Sequence, residues 1–188
     1  MRRKLKFNRA SPKPEKKLFK QQIKVAETTD RIIQNLKSRV EEMEDLEAIR
    51  QLKVAYCDAC DDDHNGEVVS SLFSKSGTWQ QIGATSHADS RKHVGRKEIA
   101  AFMYGLRDAG FIVCSSHVVT NPVLKISGNS ASGDWKFLML YTHKDGSRHK
   151  IIGRYQDIYV KVKGQWYFES LTAIVEDNNI YLTGNKNE

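Results

Sequence analysis

The sequence has little of what marks several specialised classes of protein. It contains only three cysteines and three prolines among 188 residues, and so small and odd a number of cysteines excludes a scaffold built on disulfides. No apolar run approaches the roughly 20 residues that a membrane-spanning helix needs. The basic N-terminus also lacks the apolar segment of a secretory signal. These absences predict a soluble, reduced, cytoplasmic protein, and a hydrophobic fraction of 39% is enough for a sizeable core.

Positive charge is abundant but confined to one end of the chain. Residues 1–20 hold nine lysines and arginines and one acidic residue, so the remainder is close to neutral. A nucleic-acid-binding domain carries its basic residues on the folded face, which weighs against that function here. Residues 1–25 show no periodicity and are predicted to be a basic, mostly disordered tail. This tail either solubilises the chain or makes weak contacts with an anionic membrane surface, nucleic acid or acidic protein.

One long helix is predicted from Thr29, a typical N-cap residue, to about Asp61. Between Met43 and Leu52 its apolar residues are three apart, which turns the apolar stripe by about 180°. The two halves should therefore face different surfaces. We expect Leu46–Cys60 to pack into the domain. Ile32–Met43 either contacts another subunit, which is the favoured use, or lies across the outside.

Shorter elements follow, and beyond Gly110 the apolar period changes from helical to alternating. A second helix is predicted after a turn at His64-Asn65-Gly66, and a third over Arg96–Leu106, with a loop at Ala84–Val94. The predicted strands are Thr78–Ile82, Cys114–Ile126, Ala131–Thr142, Lys150–Val162 and Trp166–Val175. Helices followed by a strand meander predict an α+β fold, with the helices on one face of a curved, mostly antiparallel sheet.

The end of the long helix holds the densest polar cluster, Tyr56 to Asp63. Aspartates oppose the macrodipole at a helix C-terminus, so a turn or a site is needed to explain them. The spacing Cys57-x-x-Cys60 suits a redox pair or zinc. However, redox pairs of this kind lie at helix N-termini, and only Cys114 remains as a further thiolate ligand. Two small side chains on an apolar helix face are the favoured interpretation.

Among the six histidines, His117 stands out because it lies near the start of a hydrophobic strand. It is either a hydrogen-bonded structural residue or a functional imidazole. The other five fall in loops or at strand ends, where solvent exposure is expected; they are His64, His87, His93, His143 and His149.

Alternation gives two of the predicted strands an aromatic face. One face holds Trp135, Phe137, Met139 and Tyr141, and the other holds Tyr155, Asp157 and Tyr159. Large aromatics beside a few polar groups suit either a core or an apolar ligand pocket.

Four groups of residues carry a resemblance to a known family. They are Met43–Leu52 followed by Tyr56-x4-Asp61, Gly95–Ile99, His117 with Asn121-Pro122, and Gly153-Arg154-Tyr155-x-Asp157 with Gly164-Gln165-Trp166. In order and spacing, over about residues 30–175, they resemble SnoaL-like proteins of the nuclear transport factor 2-like superfamily. They resemble bile-acid 7α-dehydratase in particular, and scytalone dehydratase and hexachlorocyclohexane dehydrochlorinase more distantly.

The resemblance implies a cone-shaped, curved sheet wrapped around the N-terminal helices, with residues 26–175 as a single domain and 176–188 as a polar extension. It implies trimers, or dimers, with neither metal nor organic cofactor. Its Asp–His dyad corresponds to Asp61 and His117, and a tyrosine of the bile-acid enzyme corresponds to Tyr56. Two departures prevent transfer of the substrate: Met139 replaces a pocket aspartate of that enzyme, and Tyr141 falls near the second pocket histidine of scytalone dehydratase.

The function expected on this basis is a dehydratase-like β-elimination, or an isomerisation, of a hydrophobic molecule, polycyclic compounds included. The candidate catalytic residues are Asp61, His117 and Tyr56. The candidate substrate-binding residues are Trp79, Phe102, Trp135, Phe137, Met139, Tyr141 and Tyr155. The alternative is a non-catalytic binding or assembly module, because one fold serves many functions.

Overall fold

The computed structural model describes residues 14–84 and 91–182. The three helices in these ranges are α1 (Pro14–Asp61), α2 (Gly66–Ser71) and α3 (Gly95–Ala109). The strands are β1 (Phe73–Gly83), β2 (His93–Val94), β3 (Ile112–Ser127), β4 (Ser130–His143), β5 (Arg148–Val162) and β6 (Gln165–Leu182). The chain divides into two compact units, with the boundary between Met43 and Glu44.

The strands form one six-stranded sheet in the order β2-β1-β6-β5-β4-β3. Every neighbouring pair is antiparallel except β1 and β6, which run parallel. Two-residue turns at Gly128-Asn129 and Lys163-Gly164 join β3 to β4 and β5 to β6. Gly164 has a φ of 84°, a conformation that such hairpin turns require and glycine adopts without strain. The predicted α+β fold with a curved, mostly antiparallel sheet is confirmed.

Several predicted boundaries were wrong. The first helix begins at Pro14 instead of near Thr29, so residues 14–25 are helical, not disordered. Proline suits the first turn of a helix because its missing N–H has no acceptor there. The sequence signal was weak since residues 14–28 are highly charged. Residues 1–13 of the predicted tail lie outside the described residues, as do His87 and most of the predicted loop.

The last strand also ends later than predicted, because β6 continues beyond Val175 to Leu182. Within the predicted loop, His93–Val94 forms the short strand β2 against β1. In the described parts of the chain, no helix is long and apolar enough to span a membrane.

The core of the larger unit lies between α1 and the concave face of the sheet. As predicted, the C-terminal part of α1 supplies buried side chains to it, among them Ile49, Tyr56 and Cys60. Phe73 and Phe168 pack beside Tyr56 with ring centroids 5.2–6.5 Å apart. Packing of this kind fixes the end of α1, and therefore the acidic cluster, relative to the strands.

Lys53 is a core residue that the apolar pattern did not predict. Its side chain is completely buried, and its Nζ lies 2.9 Å from Asp157 Oδ2 and 3.4 Å from the centroid of the Tyr155 ring. The Tyr159 hydroxyl donates to the same Asp157 oxygen at 2.7 Å. The ion pair therefore ties α1 to the middle of β5.

The smaller unit contains the first part of α1, whose large apolar side chains are exposed. They include the residues for which a contact with another subunit was predicted: Ile32, Ile33, Leu36, Val40 and Met43. Their exposure agrees with that expectation, although the contact itself stays a prediction.

Candidate active site

A cavity of about 490 Å³ opens between the C-terminal end of α1, α3 and the concave face of the sheet. Its wall is mainly apolar and aromatic, contributed by Trp79, Phe102, Met103, Phe137, Met139, Ile151 and Tyr155. Cavities of a few hundred cubic ångströms with a few polar groups are typical of small-molecule sites. Alternation left open whether the two aromatic strand faces form a core or a pocket, and both occur. Phe137, Met139, Tyr141 and Tyr155 line the cavity, whereas Trp135, Asp157 and Tyr159 are buried away from it.

The end of α1 and the start of β3 bring Asp61 and His117 into contact at this cavity. Asp61 Oδ1 accepts hydrogen bonds from Ser115 Oγ at 2.7 Å and is 2.6 Å from His117 Nδ1. Its Oδ2 accepts from the backbone N–H of His117 at 2.7 Å. Ser115 and His117 share a side of β3 because strand side chains repeat every two residues. Three donors therefore converge on one carboxylate.

These hydrogen bonds determine the charge of Asp61. Partial burial by itself would raise its pKa, but the ring and backbone N–H of His117, together with Ser115, outweigh burial and lower it. The carboxylate is therefore ionised near neutral pH and can only accept. It follows that Nδ1 carries the proton in the neutral imidazole, which leaves the lone pair on Nε2.

The imidazole lies between the carboxylate and the cavity. His117 lines the cavity, whereas Asp61 does not. The His117 side chain is 7% exposed and that of Asp61 is 24% exposed. Within the described residues, Nε2 has no hydrogen-bond partner, so the arrangement presents one basic nitrogen to a bound molecule.

Tyr56 also lines the cavity, five residues before Asp61 on α1. Its hydroxyl oxygen accepts a hydrogen bond from Trp79 Nε1 at 2.8 Å. Burial raises the pKa of Tyr56, and the Trp79 hydrogen bond only partly opposes this. The phenol therefore stays protonated and has a proton to donate.

The predicted substrate-binding residues fall into two groups. Six of them line the cavity, namely Trp79, Phe102, Phe137, Met139, Tyr141 and Tyr155. Trp135 does not: it is buried, and its Nε1 donates to the Tyr159 hydroxyl at 3.0 Å. Alternation placed Trp135 on the correct face of β4 but gave no information about its position along the strand, which lies beyond the cavity.

His64 is a cavity residue that the sequence interpretation missed. It was expected to be exposed, but it is 7% exposed and lines the cavity. It adopts a φ of 53° in the turn after α1, where Asn65 accepts from the N–H of Val68 and caps α2. Burial and the nearby charge of His117 lower the pKa of His64. The Asn65-Gly66 signal predicted a turn of the chain, but not that the His64 side chain would line the cavity.

His93 was also expected to be exposed, and this was wrong. It is 1% exposed, and its ring stacks on Phe102 with centroids 4.2 Å apart. His93 therefore packs against one of the aromatic rings that line the cavity.

His143 and Lys144, at the β4–β5 hairpin, line the cavity as well. Sequence periodicity gives no signal for residues at such a turn.

The two cysteines of the Cys57-x-x-Cys60 spacing are buried free thiols. Burial raises the pKa of Cys57 to about 12 and raises that of Cys60 further. Thiols of this kind hold almost no thiolate at neutral pH, and the thiolate is the form that exchanges disulfides or binds zinc. The structure thus supports the apolar interpretation of this pair.

Comparison with known proteins identifies the fold. A family model described as a SnoaL-like domain matches residues 41–172. A candidate scytalone dehydratase from Novosphingobium aromaticivorans is similar in structure, with a TM-score of 0.65, 20% identity, and coverage of 79% of this chain and 97% of that one. A type 2 hexachlorocyclohexane dehydrochlorinase superposes with a TM-score of 0.67 and 16% identity, over 79% of this chain and 96% of that one.

A third similar structure is the β subunit of a candidate aromatic-ring-hydroxylating dioxygenase from Novosphingobium aromaticivorans. Its TM-score is 0.59 with 22% identity, and the match covers 70% of this chain and 88% of that one. No curated protein matches the chain in sequence. The nearer likeness to bile-acid 7α-dehydratase, and the domain limits at residues 26 and 175, therefore stay predictions.

Proposed function

Because the chain belongs to the family of SnoaL-like domains, we propose that it is a lyase or isomerase that acts on a small hydrophobic molecule with His117 as the general base. The observation that carries the proposal is the contact of 2.6 Å between Asp61 and His117 at the wall of an apolar cavity. Proton removal from a carbon acid needs a base and an acid, and this chain supplies both. The reaction as proposed requires no metal or organic cofactor.

In the first step, Nε2 of His117 removes a proton from a carbon next to a carbonyl or a similar acidifying group. The ring then becomes an imidazolium. Asp61 stabilises this charge through Nδ1 and holds the ring in the orientation that keeps Nε2 toward the substrate. Ser115 and the backbone N–H of His117 keep the carboxylate in place throughout.

Tyr56 is proposed as the acid. Its phenol hydrogen-bonds the carbonyl oxygen, or the departing hydroxyl, where negative charge develops. The N–H of Trp79 donates to the same phenol oxygen and therefore supports this charge. Tyr141, which also lines the cavity, is the second candidate for this role.

The fate of the leaving group determines the product. If the hydroxyl on the adjacent carbon takes the proton of Tyr56 and departs as water, a C=C bond forms; the reaction is then a β-elimination and the protein is a dehydratase. If no group departs and the proton returns at another carbon, the reaction is an isomerisation. The aromatic wall and the cavity volume of about 490 Å³ favour a substrate with several rings in either case.

The alternative is a cavity of the same fold that binds or assembles without chemistry. Met139 favours it, because the position corresponding to an aspartate in the bile-acid enzyme holds an apolar side chain here. The similar β subunit of a candidate dioxygenase shows that the fold also occurs as a component of a larger assembly. In that case His117 and Asp61 would serve only to fix β3 to α1.

The test is a screen followed by two variants. Hydroxylated steroid-like and polyketide-like compounds are incubated with the protein, and products are examined by mass spectrometry for loss of water or for an isomer of unchanged mass. With a substrate identified, His117→Gln and Asp61→Asn should each lower kcat/KM by at least about 100-fold. Circular dichroism should show an unchanged fold.

Asp58→Asn is the matched control, because Asp58 lies on the same helix end and is exposed to solvent. Its kcat/KM should equal that of the native protein. Full activity of His117→Gln would contradict the assignment of the base. Tight binding of the screened compounds without turnover would favour the binding module.

A further inference from the structure

The first part of α1 carries a regular apolar seam on its surface. Alternating steps of three and four residues define the seam as Phe19, Gln22, Ala26, Thr29, Ile33, Leu36, Val40 and Met43. All eight are exposed in the single chain. Leu36 is 50% exposed and Met43 is 67% exposed, and a contiguous row of exposed apolar side chains marks an interaction surface.

We propose that two copies of this chain pair along the seam as a parallel, two-stranded coiled coil. The occupant of the seam is thus a second copy of the same helix. This pairing is independent of the chemistry at the cavity. All of the seam except Met43 also lies outside the family match, which begins at residue 41.

The spacing of the seam is the first argument for another helix as the partner. Steps of three and four average 3.5 residues, and an apolar repeat of that length stays on one side of a helix only when two helices wind around each other. Leu18, Val25 and Ile32 each directly precede a residue of the seam and are exposed as well, so the apolar surface extends along one flank of the seam. The repeat runs through residues 19–43 without a glycine or a proline.

The residue types specify the number of strands and their direction. In heptad notation, the a positions include Ile33 and Val40, and the d position between them is Leu36. β-Branched side chains at a with leucine at d favour parallel dimers over larger bundles. Ala26 at a further a position allows the two backbones to approach.

The two polar residues of the seam, Gln22 and Thr29, also favour a parallel pair. In a parallel pair in register, Gln22 and Thr29 each face their own copy, so that two polar groups meet at each level. In an antiparallel pair of the same length, Gln22 would lie against Val40 and lose a hydrogen-bonding partner, which is costly in an apolar interface. The parallel arrangement is therefore favoured.

Cysteine cross-linking tests the pairing directly. In the full chain with Cys114→Ser, which removes the exposed native thiol, Leu36→Cys is oxidised under mild conditions. Facing d positions of a parallel pair are close enough for a disulfide, so we expect a covalent dimer on a non-reducing gel. Gln34→Cys, on the other side of the helix, is the control and should stay monomeric on the gel. Equal cross-linking of the two variants, or none of Leu36→Cys, would overturn the proposal.

Sedimentation of the full chain provides the second measurement. Leu36→Asp should raise the dissociation constant of the dimer at least about 100-fold, because two leucines lose their burial. Gln34→Asp should leave it unchanged. Leu36 is exposed in the single chain, so neither variant threatens folding. A native chain that sediments as a monomer, or an assembly that Leu36→Asp leaves intact, would show that the seam is not the interface.

Discussion

Lys53 is the residue of α1 whose replacement offers the sharpest test of how the domain is held together. Its ammonium group is completely buried and bonded to Asp157 Oδ2 at 2.9 Å. Burial lowers the pKa of Lys53 and raises that of Asp157, while the attraction between the two groups opposes both changes. Lys53→Met keeps the length of the side chain but removes the only cation bonded to Asp157 among the described residues.

The expected destabilisation follows from the partner left behind. Without Lys53, Asp157 retains one hydrogen bond, from Tyr159, and its Oδ1 already lacks a partner within the described residues. Removing one member of a buried ion pair costs about 3–5 kcal/mol. For a protein of this size that corresponds to a fall in Tm of about 6–20 °C.

Thermal unfolding followed by circular dichroism measures this loss. Lys136→Met, at an exposed position of β4, is the matched control and should change the free energy of unfolding by less than about 0.5 kcal/mol. The double variant Lys53→Met/Asp157→Asn should recover at least half of the loss, because asparagine is uncharged and still accepts from Tyr159. A fall in Tm below about 3 °C for Lys53→Met, or no recovery in the double variant, would refute this reasoning.

Two further predictions concern His64 and the three cysteines. The pKa of His64 is lowered in the folded chain, so the unfolded chain binds a proton at higher pH than the folded chain does. The free energy of unfolding should therefore fall as the pH drops below about 6.5. His64→Gln should reduce this fall, which urea titrations at several pH values measure. An unchanged pH dependence would contradict the assignment. A thiol reagent should modify Cys114 rapidly in the native chain but Cys57 and Cys60 only after denaturation, since both are buried and burial raises the pKa of Cys57 to about 12. Rapid modification of all three thiols in the native chain would contradict this prediction, because it would show that the reagent reaches Cys57 and Cys60 without unfolding.

Sequence patterns predicted the sheet well because each strand carries its own signal. Alternation and the turns at Gly128-Asn129 and Lys163-Gly164 located β3 to β6 to within a few residues, except for the extended end of β6. The start of α1 was missed because charged residues, and the polar seam residues Gln22 and Thr29, weaken the apolar period there. Ile32–Met43 was nevertheless predicted to contact another subunit or to lie across the outside, and its apolar side chains are exposed.

Contacts between distant residues were much harder to predict. Lys53 and Asp157 are 104 residues apart, and a lysine on an apolar stripe gives no sign of its partner. Asp61 and His117 were expected to meet only through the family resemblance, since the residues alone left His117 as either structural or functional. The positions of His64 and Trp135 depend on a left-handed turn and on the limits of the cavity, which no local pattern contains.

Nitrogen NMR of the histidine side chains examines the contact on which the proposed chemistry depends. The His117 signals are assigned by their loss in His117→Gln. The ionised Asp61 carboxylate can only accept, so the neutral His117 ring should carry its proton on Nδ1 and leave Nε2 unprotonated. A neutral ring protonated on Nε2 would contradict the role of His117 as the base that faces the cavity.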